Sequence, residues 1–372
     1  MKKILFALLA ATMLIGCQED AELKTKIGII LPLSGNGAIY GEDLKRGIDL
    51  AYEQSIIKNK VEIIYQDDAA DTRMGISALN SLKSQGVSIC IGGVMSNVAN
   101  GLLPIANNNN IFLLSPKATD INLSKNDDMF YRIWPTDDLD GKMSAQYINN
   151  NLTYKKIAIL YSNTDYGVGI RKLFKDHLSN DSVIVFDESF NSDISDFKPI
   201  ISKLKLTNPD IVFLPAYYRE VVMALKCMNE LNCNFYISGV SSFYDENVKI
   251  SAGKLLNQTF FTYPTFSVDA DSPATKYFVK TYYEKYKTMP NAFSAHGYDS
   301  YIVLETIISS ILSQKDAAEK INGRTIKEYI ENNHNLLISG ATGDIHFDKN
   351  GDAIRDLQII WLKDINNEKN SF

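Results

Sequence analysis

Lys26-Ile27-Gly28-Ile29-Ile30-Leu31 runs through a polar loop to Tyr40-Gly41, and Lys156-Ile157-Ala158-Ile159-Leu160-Tyr161 runs through Ser162-Asn163-Thr164-Asp165 to Tyr166-Gly167. Each apolar run is β-branched and too short for a helix, and each loop feeds a segment with helical periodicity. A Lys-Ile-x-Ile opening recurs by chance. The whole strand–loop–Tyr–Gly–helix unit met twice predicts two lobes of one design.

Outward from these runs the alternation continues. Short apolar runs at Val61–Tyr65, Val87–Ile91 and Ile111–Leu114 are separated by amphipathic helical segments such as Gly41–Gln54 and Thr72–Ser84. The pattern restarts after Met129–Pro135, with runs at Ser182–Asp187, Asp210–Leu214 and Phe235–Ser238. Strand and helix in alternation specify an α/β fold: two Rossmann-like lobes, each around a parallel sheet. A length of 372 residues exceeds what one hydrophobic core serves, which agrees with two units.

The N-terminus sets the compartment. Lys2 and Lys3 form a charged region, Ile4 to Ile15 an apolar one, and Leu14-Ile15-Gly16-Cys17 has the form of a bacterial lipobox. The stretch is too short to span a bilayer and meets Gln18-Glu19-Asp20 at once, so residues 1–16 read as a lipoprotein signal peptide. Cys17 is the expected lipid-attachment residue, and residues 17–25 form a tether. The protein is expected to be exported and held by its lipid on the inner or outer membrane, facing the periplasm, or at the surface of a single-membrane cell. Gln18 does not decide between the membranes.

Removal of Lys2 and Lys3 takes the formal charge from −6 to −8, with 36 Lys and Arg against 44 Asp and Glu. That balance argues against a nucleic-acid partner. Of the four cysteines, Cys90 sits in an apolar run and reads as a buried hydrophobe. An oxidising compartment permits a Cys227–Cys233 disulfide. No cysteine or histidine spacing resembles a metal site.

Ligands of open parallel sheets bind at the carboxyl ends of the strands. Those loops hold Tyr40, then Gly92-Gly93-Val94-Met95-Ser96-Asn97, then Ser115-Pro116-Lys117-Ala118-Thr119-Asp120 in the first lobe. The second lobe supplies Asp165-Tyr166, Ala216-Tyr217-Tyr218 and Gly239-Val240-Ser241-Ser242-Phe243. Hydroxyls and backbone N–H groups dominate the first set, tyrosines the second. The Gly92–Asn97 turn feeds a helix whose unpaired N–H groups and dipole favour an anion, with Ser96 adding a hydroxyl as N-cap. A carboxylate held by one lobe and covered by aromatic rings from the other suits both sets. The plainer reading of Ser96 is a cap alone.

These phrases, in order, resemble a known family. Ser34-Gly35, Tyr40-Gly41, Arg46-Gly47, Ile91-Gly92-Gly93 to Ser96, Ser115-Pro116-Lys117-Ala118-Thr119, Tyr166-Gly167, and Phe347-Asp348 with Asn350-Gly351-Asp352 look like the leucine/isoleucine/valine-binding proteins. These are amino-acid receptors of bacterial ABC importers with the type I periplasmic-binding fold. The resemblance runs from about Lys26 to the C-terminus. It implies three hinge crossings near Pro135, Tyr263 and Gly343, with one lobe at 26–135 plus 264–343 and the other at 136–263 plus 344–372. It assigns Ser96 and the N–H groups near it, Asn97 included, to a ligand carboxylate, with Thr119 adding its N–H and hydroxyl. The carbonyls of Val94 and Lys117 face the ligand's other polar group, Tyr40 walls the pocket, and Tyr166 and Tyr217 reach across on closure. The expected partners are a small-molecule ligand and an ABC permease with its ATPase, and the chain is expected to act as a monomer without a cofactor.

One departure bears on specificity. The family places an acid against the ligand's ammonium where this chain has Ser241, which cannot neutralise a buried cation. Asp120, Asp165 or Asp245 is a candidate replacement. Without one, the ligand is a small carboxylate, aromatic acid or amide that lacks the ammonium.

Enzyme-like signals are weak. Gly35-x-Gly37-x-x-x-Gly41 puts Tyr40 where a dinucleotide fingerprint needs glycine. Asp348-x-Asn350-x-Asp352 opens like a calcium loop, but its glycine is fourth and its twelfth residue is Ile359, so a turn between strands is the expectation. His177, His296, His334 and His346 are scattered, and no catalytic set stands out. The chain is expected not to be an enzyme. A ligand sensor that hands its closed state to a signalling protein is the alternative use of the same fold, and an extracytoplasmic hydrolase is the most remote.

Overall fold

The computed structural model describes residues 24–125, 127–151, 153, 156–313 and 321–365. The signal segment, Cys17 and the tether up to residue 23 lie outside them. Among the described residues no helix is long and apolar enough to cross a membrane.

The first half folds as β1 (Thr25–Leu31), α1 (Ala38–Gln54), β2 (Val61–Asp67), α2 (Thr72–Ser84), β3 (Ile89–Gly92), α3 (Ser96–Asn109), β4 (Phe112–Ser115) and β5 (Phe130–Arg132). All these strands pair in parallel, in the order β2-β1-β3-β4-β5. Ile27, Ile29, Ile30 and Leu31 of β1 are fully buried. A strand between two neighbours, with helices over both faces, has no solvent side, so its run is apolar without alternation.

The second half repeats the plan as α4 (Asp137–Asn151), β6 (Lys156–Ser162), α5 (Asp165–Asp176), β7 (Val183–Phe190), α6 (Lys198–Leu206), β8 (Ile211–Phe213), α7 (Tyr218–Glu230), β9 (Tyr236–Gly239), α8 (Glu246–Ala252) and β10 (Thr259–Pro264). The chain continues through α9 (Pro273–Tyr286), α10 (Ala292–Leu312), α11 (Gly323–Asn332), β11 (Ile338–Gly340), β12 (Gly343–Ile345) and β13 (Leu357–Trp361). The second sheet has the order β13-β10-β9-β8-β6-β7, parallel except for β13 against β10. The expected α/β class with two parallel sheets is therefore the observed one.

The repeated Tyr–Gly has one physical cause in both lobes. A Cβ on Gly41 would stand 2.0 Å from the carbonyl oxygen of Pro32, and a Cβ on Gly167 2.0 Å from that of Ser162. Each helix starts so close to the end of its strand that only hydrogen fits, and the preceding tyrosine is thereby fixed at the strand's carboxyl end.

Late segments return to the first sheet. Helix α10 lies against α1 so closely that a Cβ on Gly47 would meet the carbonyl oxygen of Ser294 at 1.9 Å. Residues 347–353, which the resemblance places with the second lobe, run along β5: Arg132 N donates to Gly351 O (2.9 Å) and Ala353 N to Arg132 O (2.9 Å). The Asp348–Asp352 segment is a turn, with Asp348 Oδ1 accepting the N–H groups of Asn350 (2.8 Å) and Asp352 (3.0 Å). The chain joins the second sheet only at β13. Arg355, just before it, donates to the carbonyls of Ile133, Thr342 and Asp344 and so ties two passages between the sheets together.

One expectation about the cysteines changes and one is met. Cys227 and Cys233 are free thiols, so the permitted disulfide is not formed. Cys90 is buried, as expected, and burial pushes its thiol up to about 12.

Candidate functional site

The first lobe builds an anion-facing turn from β3, α3 and the loop after β4. Gly93 takes a left-handed φ of +69°, which turns the chain from β3 into α3. Met95 is the N-cap of α3, and Ser96 is its first residue. That corrects the capping role expected of Ser96, whose hydroxyl instead accepts the N–H groups of Thr119 and Asp120, both at 3.3 Å. The Thr119 N–H expected to meet the ligand is therefore spent on Ser96. The first intrahelical bond at this end is Ala99 N to Met95 O, which leaves the N–H groups before it for a ligand. Asn97 turns its side chain to the Thr72 hydroxyl (3.2 Å), so only its backbone N–H belongs to the turn.

The loop 115–120 is fixed from below. Ser115 Oγ donates to Gly93 O (2.9 Å) and accepts the N–H of Ala118 (2.9 Å). Arg132, fully buried, donates to the carbonyls of Ala118 (3.2 Å) and Asp120 (2.8 Å) and pairs with Asp352 at 2.5 Å. A buried guanidinium with carbonyl and carboxylate partners holds a loop rigidly.

The second lobe is closed onto this loop. Tyr166, at the start of α5, and Tyr217, the N-cap of α7, stack with centroids 5.0 Å apart and an interplanar angle of 19°. Among the described residues, two of the bonds between the lobes join α1 and α3 to the second lobe. Tyr40 Oη accepts the Tyr218 N–H at 2.8 Å, and Asn100 Nδ2 donates to both Asp120 (3.1 Å) and Asp165 (3.0 Å). A hollow of about 260 Å³ lies beside the first bond, lined by Tyr40, Asp43, Arg46, Tyr218, Tyr244 and Phe293 among others.

The Lys117 side chain ends in the middle. Its ammonium lies 4.8 Å from the Tyr40 ring centre, 5.9 Å from Trp134, Tyr217 and Phe293, and 6.0 Å from Tyr166. Burial pushes Lys117 down to about 8, against the pull of Asp137 and Asp140. Both acids stand in the first turn of α4 and are buried. Burial, and then repulsion from Asp140, hold Asp137 well above the usual carboxylate range, with the Thr119 hydroxyl the leading opposing group. Among the described residues neither the Asp137 oxygens nor the Tyr217 hydroxyl have a hydrogen-bond partner of good geometry, although the Thr119 and Thr164 hydroxyls lie near enough to act on them electrostatically. Burial also pushes Asp140 up to about 6, opposed by the Thr262 hydroxyl that it accepts and by Lys117.

Residues 24–366 match the family model for periplasmic binding proteins. The chain belongs to that family. This periplasmic binding protein is 24% identical to Leu/Ile/Val-binding protein homolog 3 of Brucella melitensis over 89% of its own length and 91% of that protein's. Its structure is similar to a leucine-binding protein, LivK, of Thermotoga maritima, with a TM-score of 0.82 and 26% identity over 93% of this chain and 99% of the other. It is also similar to LivJ of Streptococcus pneumoniae, a branched-chain amino acid transporter substrate-binding protein in complex with isoleucine, with a TM-score of 0.80 and 25% identity over 92% and 98%. The fold is that of the type I members.

In this periplasmic binding protein Tyr40, Lys117, Tyr166 and Tyr217 meet in one box, and Ser96 and Thr119 adjoin each other at its first-lobe edge. The carbonyls of Val94 and Lys117 accept no hydrogen bond among the described residues. Ser241 is buried in the turn after β9, and none of the three proposed substitutes for an acid there is free. Asp120 and Asp165 accept from Asn100, and Asp245 caps α8. Sequence reasoning missed Trp134, Phe293, Asp137 and Asp140, and took Lys117 for its carbonyl alone. The spacing of Asp137 and Asp140, one helical turn apart directly after a crossing, was the available signal.

Proposed function

We propose that this chain is the substrate-binding lipoprotein of an ABC importer, which captures a small carboxylate-bearing solute between its lobes and delivers it to a membrane permease. The observation that carries this is the meeting of rings from both lobes around Lys117, in the loop that Ser96 of the first-lobe turn holds, where the helix N-terminus presents N–H groups without a partner among the described residues. The solute docks on that turn through its carboxylate. The second lobe then swings over, adding Tyr166 and Tyr217, so the ligand favours the closed state by contacts it makes only there. Branched-chain amino acids are the first class to test, because relatives along the whole chain carry that name. Ser241 supports a second reading, a ligand without an ammonium.

A thermal-shift screen of residues 18–372 against amino acids, organic acids, aromatic acids and amides tests the proposal. A ligand at 100 times its Kd raises stability by about 2.7 kcal/mol. The expected hit carries a carboxylate and is lost in Ser96→Ala and in Tyr166→Ala. Tight ligands that all lack an acidic or carbonyl oxygen contradict the site. For the anchor, Cys17→Ala should move the full-length protein from the membrane to the soluble fraction, and unchanged membrane retention contradicts lipidation there.

A further inference from the structure

Lys117 brings a positive charge into the cleft, beside the loop on which a ligand carboxylate would dock. Its side chain leaves the loop 115–120 and ends among five rings, three from the first-lobe side and its crossing (Tyr40, Trp134, Phe293) and two from across the cleft (Tyr166, Tyr217). Ring faces attract a cation, but they do not replace the hydrogen bonds its N–H groups lose on leaving water. Among the described residues no hydrogen bond or ion pair reaches Lys117 Nζ. A buried ammonium in that condition is costly until an acceptor arrives.

The neighbouring acids attract the ammonium, but among the described residues neither hydrogen-bonds it. One oxygen of Asp140 is taken by the Thr262 hydroxyl. Asp137 is packed beside a second carboxyl and far from water, which together raise it well above the usual carboxylate range and weaken it as a partner for the ammonium. A ligand ammonium entering this box would face Lys117 as a second cation, with Ser241 where an acid is needed, and like charges repel strongly in so dry a space. An anionic oxygen gives the ammonium an acceptor.

We propose that Lys117 sets the charge of the ligand: its ammonium pairs with an anionic oxygen inside the aromatic box, so the receptor takes a small organic acid with an apolar or aromatic body in preference to a zwitterionic branched-chain amino acid. This rests on the cleft-closing receptor role and names its substrate class.

Isothermal titration of wild type, Lys117→Met and Lys117→Arg with leucine, isoleucine, 4-methylpentanoate, benzoate and glutarate tests it. Leucine and 4-methylpentanoate share a carbon skeleton and a carboxylate and differ by the ammonium. The expected result is that at least one acid binds wild type more tightly than either amino acid. Lys117→Met should weaken that acid by about 10-fold to 100-fold, the worth of a charged hydrogen bond, while Lys117→Arg keeps the preference for acids. Circular dichroism and a cooperative melt for each variant confirm that it is folded. Leucine or isoleucine binding wild type more tightly than the acids, or an acid whose affinity Lys117→Met leaves unchanged, overturns the assignment of Lys117 while the receptor role stands. If none of the five binds wild type and the wider screen finds no carboxylate ligand, both fall.

Discussion

At the scale of single residues, the site is a set of buried polar groups that the protein does not satisfy by itself, and Lys117 is the most exacting of them. Its folded-state pKa of about 8 lies below the ordinary lysine value, so between pH 8 and about 10.5 the unfolded chain holds the extra proton and stability rises with pH. Binding of an anion runs the other way, since it needs the charged ammonium and weakens above pH 8. The groups facing Lys117 that titrate are Asp137 and Asp140 on α4, Tyr40 on α1, Tyr166 on α5 and Tyr217 before α7. Those tyrosines are all raised by burial and stay neutral through this window, and Asp140 is ionised by its start. Asp137, raised in the folded state, shifts stability the opposite way, so binding isolates Lys117: titrations of wild type and Lys117→Met from pH 7 to 10 should show weaker anion binding with rising pH in wild type alone, and a binding profile that rises with pH contradicts the role of the ammonium. Ser96 makes a second prediction. Without its hydroxyl the buried N–H groups of Thr119 and Asp120 lose their acceptor, at a cost of about 1–3 kcal/mol. Denaturant unfolding of Ser96→Ala should show that loss alongside weaker binding, whereas Ser96→Thr, which keeps the hydroxyl, retains most of the stability.

At the scale of elements, strand ends aim the tyrosines, and the glycine after each lets its helix approach. Gly167→Ala forces a methyl to within 2.0 Å of the Ser162 carbonyl, so α5 must move. The expected cost is about 1–3 kcal/mol of stability together with weaker binding through displaced Tyr166, measured by melt and titration. Unaltered values for both would show that the close approach is not needed. This level was the most legible in the sequence. Thr72–Ser84 is a helix over the residues its periodicity marks, and the runs at Lys26 and Lys156 are interior strands of their sheets, each with a neighbour on both sides, because a strand covered on both faces is apolar nearly throughout. The site was legible only in part. Ser96, Thr119, Tyr166 and Tyr217 lie at strand ends, where topology alone points. Asp137 and Asp140 open a helix after a crossing, where acidic residues are ordinary dipole partners, and nothing local tells that tertiary packing buries them. Lys117 likewise reads as a loop lysine until rings distant in sequence close over it. Residues 347–353 carry a turn signature but no sign that Arg132 draws them onto the first sheet.

At the scale of the whole molecule, the bonds that cross the cleft bear on how the lobes close. The Tyr40 hydroxyl to the Tyr218 N–H is one of them. Tyr40→Phe keeps the ring over Lys117 and removes that bond, at a cost to the closed state of about 0.5–1.5 kcal/mol, or roughly 2-fold to 13-fold in affinity. Small-angle scattering should show a larger radius of gyration for this variant at sub-saturating ligand, and an unchanged radius together with unchanged affinity would remove the bond from the closure mechanism. The central claim is that one small carboxylate-bearing solute is held by both lobes at once, and titration calorimetry of the screened ligand against wild type, Ser96→Ala and Tyr166→Ala tests it most directly. One solute should bind per chain to wild type, and a change in either lobe alone should weaken it by at least about 10-fold, since each removes contacts worth more than 1.4 kcal/mol. Full affinity in either variant would contradict a site shared between the lobes.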